Sequence, residues 1–235
     1  CSMPLLEVKN VKKIYTTRFG GNKVQALSNV SFSVEEGEYV AIMGESGSGK
    51  SASLRNFKPG EILIFNVANK PLPFREKLDC LDKSGYRAIF EEFKSQKYKR
   101  YVVDDSQYLL AFESFAKAKE NGYQKFTDMA LHFYSLIKTV TEGLPDDTVV
   151  YFLHHVQKTD YGIKAKTIGK MLDDQLTVEG LFSIVLMAEF DNGRYYFRTQ
   201  TNGNDTVKSP IGMFDREIDN DLKTVDQKIR EYWGI

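Results

Sequence analysis

An apolar run, Tyr39-Val40-Ala41-Ile42-Met43, leads straight into Gly44-Glu45-Ser46-Gly47-Ser48-Gly49-Lys50-Ser51. Few patterns constrain a fold more tightly. The run reads as a buried strand, and a strand followed by G-x-x-x-x-G-K-S and a helix start is the phosphate-binding P-loop. The glycines let the backbone curl so that successive N–H groups converge on one anion, and a helix N-terminus points at the same place. Lys50 adds a mobile positive charge for the outer phosphates, and the Ser51 hydroxyl is a ligand for Mg²⁺. The pattern predicts a site for a nucleoside triphosphate, ATP with Mg²⁺, formed by Gly44 to Ser51 with Ala52 at its edge.

The rest of the chain reads as the sheet such a loop needs. Residues 5–15 alternate apolar and polar side chains, and Val24 to Val34 has strand character, with Gly20-Gly21-Asn22 as the turn between them. These predict a small antiparallel sheet ahead of the loop, over 1–38, and a nucleotide-binding core over 39–235. After Ser51 a helix is expected to stop within about two turns at Pro59-Gly60. Ile62 to Val67 and Thr148 to Leu153 read as buried strands, as does Tyr101-Val102-Val103-Asp104-Asp105. Apolar residues at helical spacing mark Tyr86–Phe93, Tyr108–Phe115, Phe126–Ile137 and Ile218–Trp233. Strands alternating with helices predict an α/β fold with a mostly parallel sheet flanked by helices. Leu181 to Phe190 and Arg194 to Thr201 read as a hairpin about Asp191-Asn192-Gly193.

Composition excludes some functions. Lys+Arg and Asp+Glu balance at 32 each, so any contact with nucleic acid must come from a local patch. No apolar run approaches the roughly 20 residues that span a bilayer. Cys1 and Cys80 make no disulfide framework or metal-site spacing, and a reducing, cytoplasmic setting is expected.

Asp104 and Asp105 end an apolar strand beyond the loop, where a P-loop ATPase needs carboxylates. Asp104 is the choice for the water-mediated Mg²⁺ partner, and Asp105 for orienting the attacking water. His154 and His155 follow the next strand. Adjacent strand residues point oppositely, so one of them, taken as His154, is expected to reach the γ-phosphate as a sensor. His132 lies in an apolar helical stripe and reads as structural. Lys158, Lys164, Lys166 and Lys170, with Tyr161 and Gly162 among them, form a basic loop of the kind that contacts single-stranded DNA, cations on phosphates and an aromatic on a base.

Two resemblances overlay this reading. Residues 5–51 resemble the start of an ABC-transporter ATPase of the macrolide-exporter or lipoprotein-release type. The matching features are Val11-x-Lys13-x-Tyr15, Ala26-Leu27-x-x-Val30-Ser31-Phe32 and Gly37-Glu38-Tyr39 onward through Ser51. That resemblance implies that Tyr15 stacks on adenine. It stops after Ser51: no L-S-G-G-Q run follows. Ser51 to Phe57, Phe65-Asn66-Val67-x-x-Lys70-Pro71-Leu72-Pro73-Phe74 and Val102 to Tyr108 are similar to phage RecA-like AAA ATPases of single-strand annealing and recombination. The second resemblance covers 51–235 and implies a RecA-like core, single-stranded DNA as partner, and a homo-oligomer in which Lys208 reaches a neighbouring subunit's nucleotide. The two meet within 44–51, which reads as an engineered join of two P-loop proteins, with a natural recombinant as the alternative. Three functions follow: an ATP-hydrolysing P-loop NTPase, a nucleotide-binding module without turnover, or an ABC transporter subunit.

Overall fold

The computed structural model describes the backbone of residues 6–16 and 23–34, and residues 39–235 in full. The chain forms two compact units, Cys1–Glu36 and Gly37–Ile235. In the first, β1 (Leu6–Thr16) and β2 (Lys23–Val34) pair antiparallel from Leu6 opposite Val34 to Thr16 opposite Lys23. This is the expected ribbon. The Gly20-Gly21-Asn22 turn and the side chain of Tyr15, for which the resemblance implies adenine stacking, lie outside the described residues.

The second unit carries, in chain order, β3 (Tyr39–Gly44), β4 (Leu63–Asn66), β5 (Asp79–Asp82), α1 (Tyr86–Ser95), β6 (Arg100–Asp104), α2 (Gln107–Ala116) and α3 (Gln124–Gly143). It continues with β7 (Val149–Thr159), β8 (Gly162–Ala165), α4 (Lys170–Asp173), β9 (Ile184–Asp191), β10 (Arg194–Arg198), β11 (Glu217–Asp219) and α5 (Leu222–Trp233). The strands order as β11-β10-β9-β3-β7-β6-β4-β5, with β8 beside β7. From β9 to β5 every pairing is parallel, and β10 and β11 extend one edge antiparallel.

The cause is in the runs themselves. Val40–Met43, Leu63–Phe65, Tyr101–Val103 and Val149–Leu153 are buried throughout, as parallel strands covered on both faces must be. Alternation then divides each run between two cores. Ala41, Met43, Phe65, Val103 and Phe152 pack under α1–α3 against Phe93, Met129 and Phe133. Val40, Ile42, Ile64, Val102 and Tyr151 pack with Phe57 and the Val225 and Ile229 face of α5. The β9–β10 hairpin turns on Asn192 (φ 48°) and Gly193 (φ 75°), both left-handed, as an Asn-Gly turn of the I′ type requires. Asp221 caps α5 by accepting from the Lys223 and Thr224 amides, and Gly234 (φ 71°) closes it.

Two expectations need correction, and one strand lies outside them all. The segment after the P-loop is one turn of 3₁₀ helix, Ser51–Leu54, rather than two turns of α-helix. Its bonds run three residues back, Arg55 N–H to Ala52 and Phe57 N–H to Leu54, as Leu54 and Phe57 are drawn into the core ahead of Pro59. β5 was not foreseen; it is a short edge strand with no residue fully buried. The basic segment is no loop either: β7 runs on to Thr159 and pairs with β8 from Val156 opposite Ala165 to Thr159 opposite Gly162. Lys158 and Lys164 are therefore strand residues, and Tyr161 stands at the tip, 99% exposed. Among the described residues no helix is long and apolar enough to cross a membrane.

Candidate nucleotide site

β3 delivers the loop at Gly44, and the loop's shape follows from its glycines. Gly47 (φ 79°) and Gly49 (φ 92°) take left-handed backbone that side chains resist. A Cβ on Gly49 would also sit 2.9 Å from both Asn220 Nδ2 and Tyr195 Cδ1. Asn220 Nδ2 donates to the Gly49 carbonyl at 3.1 Å, and Arg55 Nη1 donates to the Asn220 carbonyl at 2.6 Å, fixing the loop against the segment before α5. Ser48 Oγ is buried inside the loop with no hydrogen-bond partner among the described residues.

Lys50 is 6% exposed, and its Nζ donates to the Gly44 and Glu45 carbonyls at 2.9 Å each. Burial lowers its pKa to about 8, against the pull of Asp105 and Asp104. Ser51 Oγ donates to the two Asp104 oxygens at 3.1 and 3.2 Å. Burial first, and then the charge of Asp105, raise the Asp104 carboxyl to about 6. Asp105 behaves oppositely. Burial pushes it up, but the His155 hydrogen bond and the Lys70 charge outweigh that and hold it at about 2. Its Oδ1 is 3.3 Å from His155 Nε2 and its Oδ2 3.4 Å from Lys70 Nζ.

The site histidine is His155, not His154. β7 lies between β3 and β6, with His155 level with Gly44. His155 therefore lines the cavity, while His154 turns to the opposite face under α3. There Nδ1 meets Ser106 Oγ at 2.8 Å, and Nε2 meets the Lys166 carbonyl at 2.7 Å. A carbonyl only accepts, so Nε2 carries a proton. Burial lowers its pKa to about 4. His132, expected inside an apolar stripe, is half-exposed and paired with Glu113.

These groups share one cavity of about 850 Å³, lined by Ser46, Gly47, Gly49–Ala52, Asp104, Asp105 and His155, and by Arg55, Lys70, Tyr195 and Asn220. Glu45 lies at the rim, where its carboxylate meets Lys158 Nζ at 2.9 Å. Of the four lysines of the basic segment, Lys164 is tied to Asp173 at 2.7 Å, and Lys166 and Lys170 are exposed. Lys208 is exposed, its backbone bonded to Val185. Sequence reasoning missed Lys70, Arg55, Tyr195 and Asn220. Arg55, within Ser51 to Phe57, and Lys70, ahead of Pro71, lie in runs that the resemblance covers; Tyr195 and Asn220 carried no local signal.

The donor set fits a magnesium–phosphate ligand. Ser51 and Asp104 offer two hard oxygens, and no cluster of three or more His, Cys, Asp or Glu side chains among the described residues could cage a metal. Mg²⁺ suits such a site because it keeps waters and takes substrate phosphates. The open space beside Gly47 and the buried Lys50 ammonium, which lines the cavity, supply room and a donor for an anion.

Fold and site together define a P-loop NTPase. Residues 27–64 match the ABC transporter family. The chain is 38% identical over 96 residues to the uncharacterized ABC transporter ATP-binding protein MJ0796 of Methanocaldococcus jannaschii, covering 38% of this chain and 39% of that one. It is 39% identical over 95 residues to the ABC transporter ATP-binding protein YxdL of Bacillus subtilis, covering 38% and 35%. With the macrolide export ATP-binding/permease protein MacB of Hyphomonas neptunium it shares 52% identity over 48 residues, 20% of this chain and 7% of that one. The chain thus spans two fifths or less of these relatives' length. The expectation that the ABC resemblance stops after Ser51 is corrected: the family match runs to residue 64, and alignments of 95 and 96 residues are longer than 5–51. These comparisons support the ABC resemblance and lend none to the phage resemblance of 51–235.

Proposed function

We propose that the chain binds ATP with Mg²⁺ and hydrolyses it by attack of water on the γ-phosphate. The observation that carries this is the convergence of Lys50, the Ser51–Asp104 pair and the Asp105–His155 pair on one cavity. Bound Mg²⁺ would neutralise developing charge on the β- and γ-oxygens. Lys50 and the loop amides hold the phosphates, and Ser51 holds the cation with Asp104 behind it. Asp105, ionised across the physiological range and steadied by His155, orients the attacking water. That it remains so acidic suits it to positioning more than to proton abstraction.

For the core over 39–235 we favour the RecA-like reading. The lack of an L-S-G-G-Q run supports it; the strand β7 between the P-loop strand and the Asp104 strand suits RecA-like and ABC-type cores alike. The match of 27–64 supports an ABC-type character for the P-loop and for the residues that follow it to 64; a join within 44–51 is our reading from the sequence resemblances alone. The β7–β8 hairpin, with Tyr161 at its tip and Lys158 and Lys166 exposed beside it, is the surface we assign to single-stranded DNA. Steady-state Mg-ATP hydrolysis, with and without single-stranded DNA, tests the proposal beside Lys50→Ala. Turnover abolished by that substitution and raised by DNA is expected. Binding of Mg-ATP without turnover refutes the hydrolysis, and a folded protein that binds neither Mg-ATP nor Mg-ADP refutes the site itself.

A further inference from the structure

The reaction above leaves one cavity cation without a role. Lys70 Nζ lies 3.4 Å from Asp105 Oδ2 and 5.3 Å from the centre of the Tyr108 ring. Its side chain is 56% exposed, which by itself describes an ordinary surface ion pair worth little. The backbone beneath it is different. Asn66, the last residue of β4 and the register partner of Asp104, grips Lys70 at both ends: Oδ1 accepts from the Lys70 amide at 3.1 Å, and Nδ2 donates to the Lys70 carbonyl at 2.8 Å. Asn66 is itself buried, and Nδ2 is fixed a second time by Asp82 Oδ1 at 2.9 Å. Asn69 takes a left-handed φ of 55°, and Pro71 and Pro73 stiffen the exit.

A surface ion pair needs none of this. The clamp fixes the root of a flexible cation beside the strand that bears Asp104, on the side of the cavity facing the P-loop. Lys50 serves the phosphates from the loop, and Lys70 is a second ammonium, held next to the carboxylate that orients the water. In phosphoryl transfer, charge accumulates on the terminal group, and a cation placed there in advance stabilises the transition state.

Resting on the ATPase reading of this cavity, we propose that Lys70 is a cis-acting cation that contacts the terminal phosphoryl group. It lets the site distinguish nucleoside triphosphate from diphosphate. No bond to Lys70 forms or breaks. Its ammonium exchanges Asp105 for phosphate oxygens when the triphosphate is bound, and returns when the terminal group leaves.

The test compares wild type, Lys70→Ala and Lys70→Arg by calorimetric titration with Mg-ADP and with a non-hydrolysable Mg-ATP analogue, followed by steady-state hydrolysis. Lys70→Ala is expected to weaken the analogue about tenfold or more, to leave ADP affinity within about twofold, and to lower kcat about a hundredfold. Lys70→Arg should recover part of both losses. Equal weakening of the two nucleotides, or no change in either, overturns the proposal even if the protein proves to bind without turnover. Wild type that binds neither nucleotide overturns the ATPase reading and this inference with it. A Lys70→Ala defect confined to the triphosphate cannot come from misfolding, which would weaken ADP as well.

Discussion

Asp104→Asn should make the nucleotide-free protein more stable and inactive at once. Asp104 is 8% exposed, and its carboxyl is raised from 3.8 to about 6, so the folded state holds a proton that the unfolded chain has released. The stabilising contribution of the protonated form is complete below pH 3.8 and is lost as the pH rises through 6. At pH 7 the native state therefore carries a buried carboxylate at a cost of about 3 kcal/mol, from roughly two pKa units at 1.36 kcal/mol each. An amide of the same shape removes that cost and still accepts from Ser51 Oγ, although Lys50 loses a counter-charge. A net gain of about 1–3 kcal/mol is expected at pH 7, or roughly 2–12 °C in Tm for a chain of this size. The gain should fall to about half at pH 5, where wild type is already largely protonated. Mg-dependent turnover should drop at least about a hundredfold. Thermal unfolding of both proteins at pH 7 and pH 5, without nucleotide, decides the matter. An Asn variant less stable than wild type at pH 7, or one whose gain is the same at both pH values, refutes the argument.

Other perturbations probe neighbouring parts. Asp226, buried on α5, accepts from Tyr151 Oη at 2.7 Å, Arg100 Nε at 2.5 Å and Arg230 Nε at 2.9 Å. Asp226→Ala strands these partners and should cost about 3–5 kcal/mol, read as a lower urea midpoint with an unchanged slope. His154 has the opposite linkage to Asp104: its pKa is depressed from 6.5 to about 4, so its contribution is present above 6.5 and lost as the pH falls through 4. His154→Gln, which keeps a donor for the Lys166 carbonyl, should flatten the loss of stability between pH 6.5 and 4 in denaturant titrations. Asp105 sits at φ 55°; both Asp105→Gly and Asp105→Ala should lose turnover, but the Gly variant should be the more stable by about 1 kcal/mol in thermal melts, since only Ala meets the left-handed penalty.

The P-loop, its strand and Asp104 were legible because each is a short pattern whose chemistry is local: an apolar run, glycines at fixed spacing, a carboxylate at a strand end. The β9–β10 turn was legible for the same reason, since Asn-Gly specifies left-handed backbone wherever it falls. The choice between His154 and His155 was not. Both faces of Val149–Leu153 are buried, so the run has no polar face to set its parity, and only the register against β3 places His155 level with Gly44. The walls given by Arg55 and Asn220 depend on side chains 165 residues apart. Lys70 depends on a clamp from Asn66 that resembles any polar loop contact until the sheet is built. Lys158 and Lys164 lie in the β7–β8 ladder, a pairing that depends on the extension of β7 and not on the basic composition of the segment.

The two aspartates show how the backbone makes one cavity hold two chemically different carboxylates. Consecutive strand residues face opposite ways, so Asp104 and Asp105 would be separated by the sheet if β6 continued. The left-handed turn at Asp105 ends the strand and brings the second side chain back beside the first. Strain of about 1–3 kcal/mol at such a position persists only where its surroundings hold it. Here the Gln107 amide at 3.4 Å, His155 and Lys70 do so. The resulting environments diverge: Asp104 is desolvated and half-neutral near pH 6, Asp105 is surrounded by donors and stays ionised. In the proposed reaction an arriving dication, favouring the ionised form, would displace the Asp104 proton, so metal binding should weaken below pH 6 while the water-orienting carboxylate remains unaffected.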